Sequence, residues 1–177
     1  MAEDSLLQKA GNGLLFNISW LAIVYSQSAL IAGTVVAAHL LLHMLWIGRG
    51  QRELMFIAAV TVFGVLCDHL LFFVQVFTVS GVAAPAPVWL SCLWPVLATT
   101  LAHAFGGLQH RLVLAAVLGA VGGAASYYAG TGMSAVDFSD PVYGPIFIAG
   151  LWAILFPALA LGARLAFADK ENAPSYA

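Results

Sequence analysis

One acid inside a long apolar run constrains this chain more than any other feature. The stretch from Glu53 to Ser80 is predominantly apolar, and beyond Glu53 at its start Asp68 is the one carboxylate within it. At ~1.5 Å per residue, Asp68 lies roughly 22 Å along a helix that starts at Glu53. That is near or slightly beyond the middle of a ~30 Å hydrocarbon layer. An acid at this depth costs at least ~2.5 kcal/mol to insert, so it is expected to face the protein interior and find polar partners there.

The whole chain is 62% hydrophobic and only 8% charged, against about 25% charged in a soluble domain. Its 177 residues therefore read as a single membrane domain, an all-α bundle of six transmembrane helices, with no room for a second folded unit. The net charge of −2 comes without a basic stripe, which excludes nucleic acid as a partner. Cys67 and Cys92 both fall inside apolar runs and read as small buried hydrophobes. The acidic start and the interruption at Asn17 argue against a cleaved signal peptide.

The six spans are expected at about 6–25, 29–47, 53–80, 88–105, 112–129 and 141–167, with 168–177 a flexible cytoplasmic tail. Ser26-Gln27-Ser28 forms a tight hairpin, and Gly81 to Pro87 breaks the third helix. Asp140-Pro141 suits a helix start, with an acid as N-cap and proline at the first helical position. With the N-terminus inside, Lys9, Arg49, Arg52, Arg111, Arg164 and Lys170 all fall on the cytoplasmic side. The external connections then carry no Lys or Arg, which is the positive-inside pattern, and both termini are cytoplasmic. Gly119, Gly122 and Gly123 supply a small-residue ridge on span five. Such ridges let helices approach closely, within the bundle or between two copies of the chain.

Asn17, His39, Asp68, Thr99 and Thr100 all fall within a turn or two of the midplane, and His43 and His103 about one turn nearer the cytoplasm. Tyr127 and Tyr128 join them as candidates from span five. Titratable groups at this depth point to a functional site. His39 and His43 share one helix face at i and i+4. Five histidines in all and no His-Glu-x-x-His make metal binding unexpected, and interhelical hydrogen bonds the ordinary use of the pair. Thr99 and Thr100 have the default option of bonding back to their own helix. His69, next to Asp68, points about 100° away from it.

Leu93-Trp94, the run Ala98-Thr99-Thr100-Leu101-Ala102-His103, the run Gly119-Ala120-Val121-Gly122-Gly123 and Tyr127-Tyr128-Ala129-Gly130 resemble a family of small bacterial inner-membrane proteins. The family carries the domain-of-unknown-function label DUF2878, and the likeness extends more loosely to Asn17, Trp20 and Asp68, over about 12–167. The chain departs from the family pattern at Ala104, where serine is common, and at Ala124, where proline often follows the two glycines. The resemblance implies a six-helix inner-membrane protein of Gram-negative bacteria. The association of such proteins with genes for membrane fatty-acid modification implies membrane lipids as partners.

Three functions follow as expectations. One is an intramembrane enzyme or accessory factor of lipid modification, with Asp68 and His103 as acid and base and Asn17, Thr100 and Tyr128 orienting the lipid. The second is a small proton-linked transporter with Asp68 as the protonation site. The third is a non-catalytic scaffold or subunit in which the polar groups, His39, His43 and Thr99 included, fix helix register. No nucleotide or other cofactor motif is present.

Overall fold

The computed structural model describes residues 4–168. The expected cytoplasmic tail, with Lys170, lies outside them apart from Ala168. The fold is all-α, and four of its helices are long and apolar enough to cross a membrane.

The chain begins with α1 (Leu6–Ser26), closed at its start by a capping box. There the Ser5 hydroxyl accepts from the Gln8 N–H, and the Gln8 side chain accepts from the Ser5 N–H. Gln27 turns the chain in a left-handed conformation, and Ser28 caps α2 (Ala29–Trp46). A second turn through Gly50, whose φ of 78° suits glycine, leads into α3 (Gln51–Phe73). The short α4 (Val88–Ser91) and α5 (Leu93–Leu101) follow, then α6 (Leu112–Thr131) and α7 (Tyr143–Phe167). The candidate crossings are α2, α3, α6 and α7. The 21-residue α1 is diluted by Gln8, Lys9, Asn12 and Asn17, and α4–α5 is interrupted at Cys92. Six apolar spans are therefore not what the helices themselves display.

The apolar run of the third segment leaves the helix at Phe73 and continues as a strand, β1 (Phe77–Val79). It pairs antiparallel with β2 (Val136–Phe138), placing Phe77 opposite Phe138 and Val79 opposite Val136. Phe77 is fully buried against Phe72, Tyr127 and Phe138. Gln27 reaches the same end, where its side chain accepts from the Ala135 N–H at 2.8 Å and donates to the Met133 carbonyl. One end of the bundle is thus closed by three connections tied together. At this end the carboxylate of Asp140 accepts from the backbone N–H groups of Val142 and Tyr143 at the start of α7. Those bonds, Tyr143 first and Val142 second, hold its carboxyl below the usual value.

Packing inside the bundle is set by small residues against large rings. At Gly64 a Cβ would collide with the Trp94 indole, which joins α3 to α5. At Gly119 and Gly123 a Cβ would collide with Trp152 and Phe156, so the glycine ridge is covered by α7 of the same chain. Gly122, beside them in sequence, has nothing within 4 Å of where its Cβ would stand. The outward faces are apolar: Leu14 and Ile18 on α1, Leu41 and Leu45 on α2, Phe63 and Leu66 on α3, Val117 and Val121 on α6. A bundle that hides its polar groups and exposes leucine and valine suits lipid as its solvent.

Overpacking a tight contact costs about 1–3 kcal/mol. Gly119→Leu and Gly123→Leu are therefore expected to lower the thermal unfolding midpoint in detergent micelles, and Gly122→Leu to leave it nearly unchanged.

Candidate functional site

Two polar regions lie in the bundle, and each is assembled by helices distant in sequence. The first centres on Glu53 in the opening turn of α3. This side chain is 1% exposed, and three donors converge on it. His43 Nε2 and His103 Nε2 both stand 2.8 Å from Oε1, and the Arg49 backbone N–H donates to Oε2 at 2.6 Å. His103 Nδ1 faces Asp4 Oδ2 at 2.8 Å, and Asp4 also accepts from Arg49 Nη2 at 2.9 Å. The Arg49 guanidinium sits over the Phe167 ring, 5.7 Å from its centre, in cation–π geometry. The cluster therefore links the start of α1, the turn before α3, the residue two beyond α5 and the end of α7.

Hydrogen-bond bookkeeping assigns most of the protons. Asn12 accepts from the Ala104 N–H through Oδ1, so its NH2 faces His43 Nδ1 at 3.4 Å. His43 Nδ1 is then an acceptor, and Nε2–H donates to Glu53. On α5, the Thr99 hydroxyl gives its one hydrogen to the Val96 carbonyl. His39 Nε2–H must donate to Thr99, 3.0 Å away, leaving Nδ1 to accept from Ser19 at 2.9 Å. Both ring nitrogens of His103 face carboxylate oxygens, the arrangement in which an imidazolium donates twice. His43, Glu53 and His103 present ligand atoms all within 4.8 Å of one another, a set among the described residues that could hold a metal ion.

The second region is a cavity of about 680 Å³, within the ~300–1,000 Å³ range of small-molecule sites. One wall is α1 from Gly13 to Val24, roughly 16 Å of helix. The opposite wall is α6, with Gly122, Ser126 and Tyr127, and the floor is α4–α5. The walls stay apart because α1 packs on α2, α4 and α5, whereas α6 packs on α7. Asp68 lines this cavity and accepts from Trp94 Nε1 at 2.8 Å. Trp94 stacks on Trp152, whose indole N–H is buried without an acceptor among the described residues.

The residues singled out in the sequence divide between these regions. His39, His43, Thr99 and His103 are fully buried and belong to the Glu53 side. Asp68, Asn17 and Thr100 line the cavity, so Asp68 and His103 do not share a site. Thr99 and Thr100 both bond back to their own helix. Asn17 also bonds its own helix, at the Gly13 carbonyl. Tyr128 is 69% exposed and faces outward; its neighbour Tyr127 lines the cavity instead. His69 is exposed and bonds the Val65 carbonyl. Sequence reasoning missed Glu53, Asn12, Ser19, Asp4 and Arg49. Glu53 was masked by standing at the end of an apolar run, where a charge reads as a boundary. The spacing that could have exposed it is its position ten residues after His43 across a single polar turn.

Removing one member of a buried ion pair costs about 3–5 kcal/mol. Glu53→Ala is expected to destabilise the chain on that scale in detergent unfolding followed by circular dichroism. Asp68→Asn, which still offers Trp94 an acceptor, is expected to cost clearly less.

The family model described as a protein of unknown function, DUF2878, matches residues 9–158. The chain belongs to that family. No curated protein and no solved structure matches it. The matched segment holds both regions except Asp4 and Phe167.

Proposed function

We propose that this member of the DUF2878 family is a six-crossing protein of the bacterial inner membrane that binds the acyl chain of a membrane lipid between α1 and α6, in the service of membrane-lipid modification. The observation that carries this is the shape and lining of the cavity. It follows α1 from Gly13 to Val24, is walled mainly by Phe16, Trp20, Leu93, Leu97, Leu118 and Phe156, and is bounded by two helices whose main packing is on other partners. A chain of methylene groups gains about 0.8 kcal/mol for each one buried in such a lining. Asn17, Asp68, Thr100, Ser126 and Tyr127 are among the polar residues of the lining that a lipid head or a modified carbon would meet. Asp68 and His103 lie in different regions, so the proposed activity is lipid binding and presentation rather than acid–base chemistry by that pair.

The six crossings and their orientation rest on the ends of the bundle. The hairpin at Gln27 and the segments carrying β1 and β2 meet at one end, without Lys or Arg among the described residues. Lys9, Arg49, Arg52, Arg111 and Arg164 all belong to the opposite end. In this arrangement α1 and α4–α5 complete the crossings, their buried polar groups satisfied within the bundle, and the basic end is cytoplasmic.

Gly122→Phe adds a ring at a cavity-lining position where nothing lies within 4 Å of the new Cβ. Lipids co-purifying with the untagged chain, counted by native mass spectrometry, are expected to fall by about tenfold or more in that variant, a loss of ~1.4 kcal/mol, at an unchanged unfolding temperature. Equal lipid retention by wild type and Gly122→Phe would sink the proposal. Asp68→Asn is expected to keep the acyl chain and change which head groups are retained.

A further inference from the structure

We propose that His43, Glu53 and His103 form a binding site for one divalent transition-metal ion of the zinc class. The site is separate from the lipid cavity, which none of the three residues lines. Two imidazole nitrogens and one carboxylate oxygen lie within 4.8 Å of one another, with both Nε2 atoms 2.8 Å from Glu53 Oε1. Two histidines and a glutamate are a recurrent zinc set, bound through nitrogen and oxygen at ~2.0–2.2 Å. Ligands at those lengths around a tetrahedral ion stand roughly 3.3 Å apart. The two nitrogen–oxygen contacts therefore need to open by about half an ångström.

The surroundings are those of a metal site as well. A histidine ligand ordinarily gives its other N–H to a carboxylate or a carbonyl, which fixes the ring and its tautomer. His103 Nδ1 has Asp4 in that position at 2.8 Å, and Asp4 is itself held by Arg49. Glu53 Oε2 is held by the Arg49 backbone N–H, so Oε1 is the oxygen left to the ion. His43 Nδ1 has Asn12 beside it. On metal binding the proton of His43 moves from Nε2 to Nδ1, and the Asn12 amide turns its Oδ1 to that nitrogen, giving up the bond that Oδ1 accepts from the Ala104 N–H. His103 keeps Nδ1–H on Asp4 and releases the Nε2 proton to solvent. Three protein ligands leave the fourth position to water. All three are at most 1% exposed, so the ion would tie α2, α3 and the segment after α5 together from within.

The test is made on untagged wild-type chain in detergent, stripped with a chelator, exposed to Zn2+ or Co2+, and passed through gel filtration. About one equivalent of metal should remain, the Co2+ complex should show the absorption of a tetrahedral nitrogen and oxygen site, and Zn2+ should raise the unfolding temperature. Glu53→Gln and His103→Ala should weaken binding about tenfold or more, whereas Asp68→Asn should bind as wild type does. Two results would overturn the proposal. One is a folded wild-type chain that retains no metal and shows no thermal shift. The other is equal retention by folded Glu53→Gln and His103→Ala, which would place the metal on surface groups such as His110.

Discussion

The structure depends on a carboxylate taken out of water at one end of the bundle. Glu53 is buried in the first turn of α3, and an isolated charge there would cost far more than a membrane helix can absorb. It is tolerable because His43, His103 and the Arg49 N–H all converge on it. Each donor comes from a different part of the chain, so satisfying one acid fixes where α2 ends, where α3 begins and where the chain leaves α5. Asp4 and Arg49 extend the lattice to the N-terminal segment and to Phe167. A network of this kind confers little net energy over an apolar core, but it is intolerant of any arrangement that leaves one member alone. Register follows from that intolerance.

The opposite end is held by different means. Paired strands β1 and β2, the buried ring of Phe77 and the side chain of Gln27 join the three connections there. Between these two fixed ends α6 is drawn to α7 by the glycine ridge, while α1 is drawn to α2 and α5. The cavity is what remains between two pairs of helices anchored at both ends. Its position thus follows from the packing preferences of Gly119 and Gly123 on one side, and Gly122 faces it because it lies one residue off that ridge.

Much of this was legible in the sequence. The buried status of His39, His43, Asp68, Thr99, Thr100 and His103 follows from polar groups placed deep in apolar runs. The α6 limits and the turn at Gln27 follow from local composition and spacing. What was not legible is which face each side chain occupies. In a membrane bundle the outside is as apolar as the inside, so the hydrophobic contrast that marks a buried face in a soluble helix is missing. Depth therefore points to Asn17 as readily as to Asn12, and to Tyr128 as readily as to Tyr127, although each pair lies on one helix. The pairing of Asp68 with His103 failed for the same reason, since equal depth does not bring two groups together. The β1–β2 pair was hidden because Val74 to Val79 is as apolar as the helix before it.

The most direct measurement is a cryo-electron-microscopy map of the chain in nanodiscs of native lipid, enlarged by a bound antibody fragment. Elongated density along α1 from Gly13 to Val24, between that helix and α6 and reaching the level of Asp68, is the predicted result. A map in which α1 and α6 pack directly on each other, with no space between Trp20 and Ser126, would contradict the lipid-binding function.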